Sequence, residues 1–158
     1  RADDPHQLLE VDRRCHLYNT VDRLADASRR VGRALLSVHA RIGTTGAADY
    51  RAVVAEVKMP HATGYEPVVQ GLLGRGLGLT LEQTEAGALH AVVMAFLSAA
   101  VRLGKLGAIE AQAILAQVAP DMAAGLAAPA PDRPGAFAPL TDIAALRRTE
   151  SQAALFAT

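Results

Sequence analysis

Residues 81–103 read LEQTEAGALHAVVMAFLSAAVRL, a stretch that holds the longest apolar run in the chain. From Ala86 to Val101, sixteen residues pass without a charge, closed by Glu85 and Arg102. The run is apolar almost all round, which predicts a helix buried on every side. A membrane-spanning helix needs roughly 20 apolar residues. This run is shorter, and His90 and Ser98 interrupt it. It is therefore expected to be the core helix of a protein without a membrane span, with Ala95, Ala99 and Ala100 at a close helix contact.

Outward from this helix the chain punctuates into further helices. Thr80 precedes it, and Gly104 and Gly107 follow. On the N-terminal side, Pro67 suits the first turn of a helix running to about Leu77, with Gly78 as its stop. Ala47 to Met59 reads as a helix stopped by Pro60, and Pro60 to Gly64 as a loop. Leu8, Leu9, Val11 and Leu17 mark a first amphipathic helix entered through Asp3, Asp4 and Pro5. Asn19 or Thr20 is expected to cap the next, which carries Val21, Leu24, Ala27, Ala34, Leu35, Val38 and Ile42 on one face and ends at Gly43 and Gly46. On the C-terminal side, Ala108 to Val118 reads as a helix ended by Pro120, with a short helix, DMAAGLAA, after it. Residues 128–140 form a Pro-rich loop, and Thr141 caps a last helix, DIAALRRTESQAALF. No alternating strand pattern is present. The expectation is one all-α domain over 1–158, a bundle of about seven helices around the central helix 86–103.

Composition agrees. The 158 residues include 33 alanines and no Trp, 51% are hydrophobic and only 4% aromatic. Small side chains suit close-packed helices better than sandwiches. Sixteen Lys and Arg balance sixteen Asp and Glu. That balance speaks against a nucleic-acid binder, which shows a basic excess. The lone Cys15 excludes an intramolecular disulfide and an all-cysteine zinc site, and it fits a reducing, cytoplasmic compartment. The opening residues, RADDPHQLLEVDRR, are too charged for the apolar core of a signal peptide.

Candidate chemistry is sparse. GLLGRGLGL, Gly71 to Leu79, lacks the preceding strand and the third-glycine spacing of a dinucleotide site, and the Lys-Ser/Thr of a P-loop. His6, His16, His39, His61 and His90 form no chelating pair. His90 reads as a hydrogen-bonded core residue, and His61 as a ligand only if a second chain completes the site. Ser98 sits within the apolar helix without a nucleophile elbow. Asp22 and Asp26 among Arg23, Arg29, Arg30 and Arg33 read as a solvated ion-pair face, or an edge that meets an acidic partner. No catalytic residue, cofactor site or metal site is assigned. An interaction protein is expected, not an enzyme. The rival reading is a small helical regulatory domain holding an apolar ligand in a pocket lined by Met94, Phe96 and Leu97.

Three stretches are similar to one family. ADASRRVGRALL (25–36) carries a Ser, a Gly and paired leucines. EPVVQGLLGRGLGL (66–79) precedes SAAVRLGKLGAIEAQAIL (98–115), in which Ser98, Ala99, Val101, Arg102, Leu103, Leu106 and Gly107 fit the pattern S-A-x-V-R-L-x-x-L-G, followed by Glu110, Ala111 and Gln112. DIAALRRTESQAALFAT (142–158) places Asp142, Ile143, Arg147, Leu155 and Phe156 at matching spacing. This set resembles the urease accessory protein UreF family, without that family's opening segment bearing F-P-x-G and H-S-x-G-L-E. Tyr65 departs from the family's His before x-Pro. Ala108, Arg148, Thr149, Gln152 and Ala154 depart elsewhere. The resemblance implies an all-helical, non-catalytic scaffold, often a homodimer, that bridges the accessory protein UreD (also called UreH) and the GTPase UreG. It would assist nickel insertion into apo-urease and influence GTP hydrolysis by UreG. It also implies partner contacts at Pro67, Gly71, Arg102, Gly107, Gln112, Arg147, Arg148, Glu150, Leu155 and Phe156, with the tail docking UreD.

Overall fold

A computed structural model describes residues 4–19, 21–57, 62–129 and 139–147. Its helices are α1 (Pro5–Tyr18), α2 (Asp22–Ile42), α3 (Ala47–Glu56), α4 (Glu66–Gly76), α5 (Leu81–Arg102), α6 (Ala108–Ala127) and α7 (Pro139–Arg147). Among the described residues there is no strand, so the all-α expectation holds. The chain divides into two compact units, residues 1–69 with 133–158, and residues 70–132. α4 runs across the division.

In the first unit, α1 starts where Asp4 accepts a bond of 2.9 Å from the His6 amide, with Pro5 in the first turn. That turn has N–H groups without intrahelical partners, so an acceptor side chain and a residue lacking the N–H both suit it. Asn19 does not cap α2 as expected. It closes α1 instead, its side-chain amide donating to the Cys15 carbonyl at 2.8 Å. Val21 is the N-cap of α2 and offers no side-chain bond, and Thr20 lies outside the described residues. α2 ends at Gly43, whose φ of 81° is left-handed backbone that a residue without a Cβ enters freely.

α3 packs against both α1 and α2. It stops at Glu56, not at Met59, because Val57 already turns extended. The core of this unit holds Leu9, Val21, Ala25, Leu36, Ala47 and Tyr50, with Ala62, Tyr65, Val68 and Val69. The buried face of α2 is therefore Ala25, Arg29, Gly32 and Leu36, not the predicted stripe: Val38 is 54% and Ile42 68% exposed. The predicted stripe followed apolar side chains. The observed one runs through Gly32, where backbone approaches, with the partnered Arg29 one turn before it.

In the second unit, Thr80 and Gln83 form a reciprocal capping box, Gln83 N to Thr80 Oγ1 at 3.2 Å and Thr80 N to Gln83 Oε1 at 2.9 Å. α5 packs on α6. It is not the buried centre of the molecule. Leu97 is its buried residue, whereas Phe96 is 71% exposed, and Leu81, Val92, His90, Ser98 and Ala95 are exposed as well. Hydropathy measures the gain from burial, not whether a partner of matching shape is present. Ala111 is the buried residue of α6, with Ile114, Leu115, Val118 and Met122 half-buried. By length and composition alone, α5 would also suit a membrane crossing. α6 continues through Pro120 to Ala127, where a stop was expected. Pro removes one helical bond and crowds one carbonyl, and the alanines around it are the strongest helix formers.

Candidate functional site

The most constrained place among the described residues is a segment of five, Ala62-Thr-Gly-Tyr-Glu66, at the entrance to α4. Residues 62–65 are all buried, a costly position for loop backbone unless its polar groups are paired. The pairing comes from α1 and α2, with α3 bracing the α1 carboxylate. Asp12 of α1 is wholly buried and accepts from the Gly64 amide, from the Tyr65 amide at 2.9 Å and from the Tyr50 hydroxyl of α3. Arg33 of α2 donates to the Thr63 carbonyl through Nη2 at 2.9 Å and Nε at 3.2 Å. Ser28 of α2 accepts from the Glu66 amide at 3.2 Å, so α4 receives its first cap from another helix.

Tyr65 gathers the rest. Its hydroxyl accepts from Arg29 Nη1 at 2.6 Å and lies 2.8 Å from His16 Nδ1. The Arg29 guanidinium stands 5.2 Å from the Tyr65 ring centroid and also pairs with Asp26. Gly32 makes the approach possible: a Cβ there would stand 2.8 Å from the Glu66 nitrogen and 2.9 Å from the Tyr65 carbonyl carbon. No buried side-chain nitrogen or oxygen among the described residues lacks a partner.

Electrostatically the cluster is closed. Burial pushes the Asp12 carboxyl above its ordinary range, and the bonds from Tyr50, Gly64 and Tyr65, with the Arg33 charge, pull it partly back. Burial and the Asp12 neighbour push the Tyr50 hydroxyl far up. Burial raises Tyr65, opposed by Arg29. The Cys15 thiol is raised by burial and by Asp12, which keeps it protonated and a poor nucleophile. Every strong group here is spent on another group of the chain. The arrangement clamps 62–66 and sets where α4 begins; it does not activate a reacting atom.

Sequence reasoning missed this cluster. Asp12 carries no signal of its own in the sequence, and Arg29 and Arg33 read as part of a solvated ion-pair face or a partner-facing edge. The clue was register: Leu9, Asp12 and His16 stand at i, i+3 and i+7 on one face of α1. A carboxylate on the line of a buried leucine is a core polar group.

The partner contacts implied by the resemblance are dispersed. Pro67 is exposed in the first turn of α4, and Gly71 is exposed further along it. Arg102 ends α5 at the surface. Gly107 caps α6, its amide donating to Glu110 at 3.3 Å, and Gln112 is exposed on α6. Arg147 ends α7. Arg148, Glu150, Leu155 and Phe156 lie outside the described residues, as does His61. Phe96 is too exposed to line an enclosed ligand pocket with Met94 and Leu97. Among the described residues no group of three or more His, Cys, Asp or Glu is placed to hold a metal ion.

Comparison with known proteins gives a consistent relationship. The family profile of UreF matches residues 1–119, so the tail pattern 142–158 lies beyond the match. The chain is 30% identical to the urease accessory protein UreF of Arthrobacter sp. (strain FB24) over 138 residues, 85% of this chain and 60% of that protein. It is 32% identical over 120 residues to the protein of the same name from Trichodesmium erythraeum, covering 72% of this chain and 48% of the relative. For Paenarthrobacter aurescens the figures are 29% over 134 residues, 83% and 59%. The chain thus spans about half to three-fifths of the length of these relatives. No solved structure matches it.

Proposed function

The chain belongs to the UreF family, and from that premise we propose that it is a non-catalytic scaffold of urease maturation, bridging UreD (UreH) and the GTPase UreG during nickel insertion into apo-urease. The observation that carries the reading is the large apolar surface left outward beside a clamp that is closed on itself. The clamp residues Asp12, Arg29, Tyr50 and Tyr65 spend their polar groups internally. Residues 70–129 leave large apolar side chains outward, among them Leu81, Phe96 and Ile109. Exposed apolar surface of this kind is what protein partners cover.

The GTPase chemistry then belongs to UreG, since this sequence carries no P-loop lysine. Nickel passes through the assembly as cargo. Pro67, Gly71, Arg102, Gly107 and Gln112 are surface positions through which partners are engaged, together with the tail residues Arg147, Arg148, Glu150, Leu155 and Phe156. The setting is cytoplasmic, and a homodimer fits the exposed α5–α6 pair. The test is co-purification of the chain with UreD and UreG, followed by nickel-dependent activation of apo-urease. Recovery of a complex that supports activation is expected. Failure to retain either partner would overturn the bridging role.

A further inference from the structure

A groove runs between α2 and α3, with a volume of about 360 Å³. Leu36, Val54, Ala55 and Val57 line it with aliphatic surface, and Arg33 and Arg51 bring two guanidinium groups to it. Arg33 is anchored, since its Nη2 holds the Thr63 carbonyl at 2.9 Å. Arg51 is exposed and makes no ion pair among the described residues. The groove lies wholly within the unit that carries the clamp.

We propose that this groove docks a segment of a partner protein in which a carboxylate side chain sits beside aliphatic residues. The charge fixes the sign of the occupant: among the described lining residues none is acidic and two are cations. Guanidinium groups are matched best by carboxylates, which they bind through paired N–H donors. The aliphatic lining supplies area for leucine- or valine-sized side chains next to that carboxylate. The shape argues for a peptide over a free small molecule. Small-molecule sites enclose most of their ligand, whereas Arg51 and Ala55 stand exposed on the α3 side of this groove. The proposal goes beyond the urease reading and stands on the groove alone.

The test uses the full chain, labelled with ¹⁵N, and two synthetic peptides, acetyl-ALEDLLA-amide and its counterpart acetyl-ALKKLLA-amide. The acidic peptide is expected to shift the amides of Leu36, Arg51, Val54 and Val57 saturably, and the lysine peptide to bind at least about tenfold more weakly. Arg51→Glu is expected to reverse that preference, and added salt to weaken the acidic peptide. Arg51 is exposed, so the variant is expected to keep its circular dichroism. Should it not, Ala55→Glu on the same groove serves instead. No saturable shift, or equal binding of both peptides, overturns the proposal. Two other occupants are distinguishable and also overturn it. Shifts of the same amides on concentrating the protein alone point to a second copy. A gain in acidic-peptide affinity from Glu150→Lys alone points to the chain's own tail.

Discussion

Asp12 shows what a single residue contributes to this unit. Its two carboxylate oxygens serve two backbone amides of one segment and one hydroxyl of another helix. Asp12→Ala would strand all three donors in the interior, at about 1–3 kcal/mol for each buried group left unpaired. The expected loss is about 3 kcal/mol or more, read as a fall in the urea midpoint at constant slope. Asp12 also links stability to pH. Burial raises its folded pKa above the ordinary 3.8, so the folded state holds this proton more tightly than the unfolded chain does. Stability contributed by the protonated carboxyl is complete below that ordinary value and is lost as pH rises through the raised one. Glu66, also raised by burial, adds a slope of the same sign. The urea midpoint of the parent is therefore expected to fall as pH rises from about 4. Asp12→Asn is expected to flatten that fall while leaving the Glu66 part. A variant whose slope equals the parent's would show that Asp12 is not raised.

At the scale of the element, two helical glycines carry opposite expectations. Gly32, on the buried face of α2, meets the backbone of residues 64–66, and Gly87, within α5, has nothing within 4 Å of the place a Cβ would take. Gly87→Ala is expected to stabilise by roughly 0.5–1 kcal/mol, the ordinary gain from replacing glycine within a helix. Gly32→Ala is expected to destabilise by about 1–3 kcal/mol, because its methyl meets main chain, which cannot turn aside as a flexible side chain can. Thermal unfolding of both variants beside the parent checks the pair. Equal signs would refute the close approach of α2 to the segment 62–66. The same contrast explains why the α2 stripe was misread. Apolar periodicity finds the side chains that gain most from burial, while Gly32 is buried for what it lacks, and Arg29 because Tyr65 and Asp26 accept its hydrogen bonds.

At the scale of the whole molecule, both units display large apolar side chains outward. α7 begins at Pro139 and shows Leu140, Ile143 and Leu146 to solvent. Deleting 147–158 is expected to abolish UreD binding in a pull-down while most of the far-ultraviolet helical signal remains. Undiminished binding by the truncated chain would refute a docking role for the tail, and loss of the helical signal would make the tail structural.

Much of this architecture was legible in the chain itself. Pro5, the Thr80–Gln83 pair and Gly43 mark helix ends by local chemistry, which acts within a few residues and so survives any fold around it. Alanine-rich amphipathic runs determined the all-helical class for the same reason. Only the tertiary structure decided which faces are inside. Asp12, Tyr50 and Tyr65 lie 38 and 53 positions apart in their bonds to Asp12, and no local pattern encodes a partner at that separation. Nor could hydropathy place 86–103, since a helix that gains from burial is buried only where another surface of the right shape meets it. Here α6 packs on α5, and the large residues Phe96 and Val92 still remain outward.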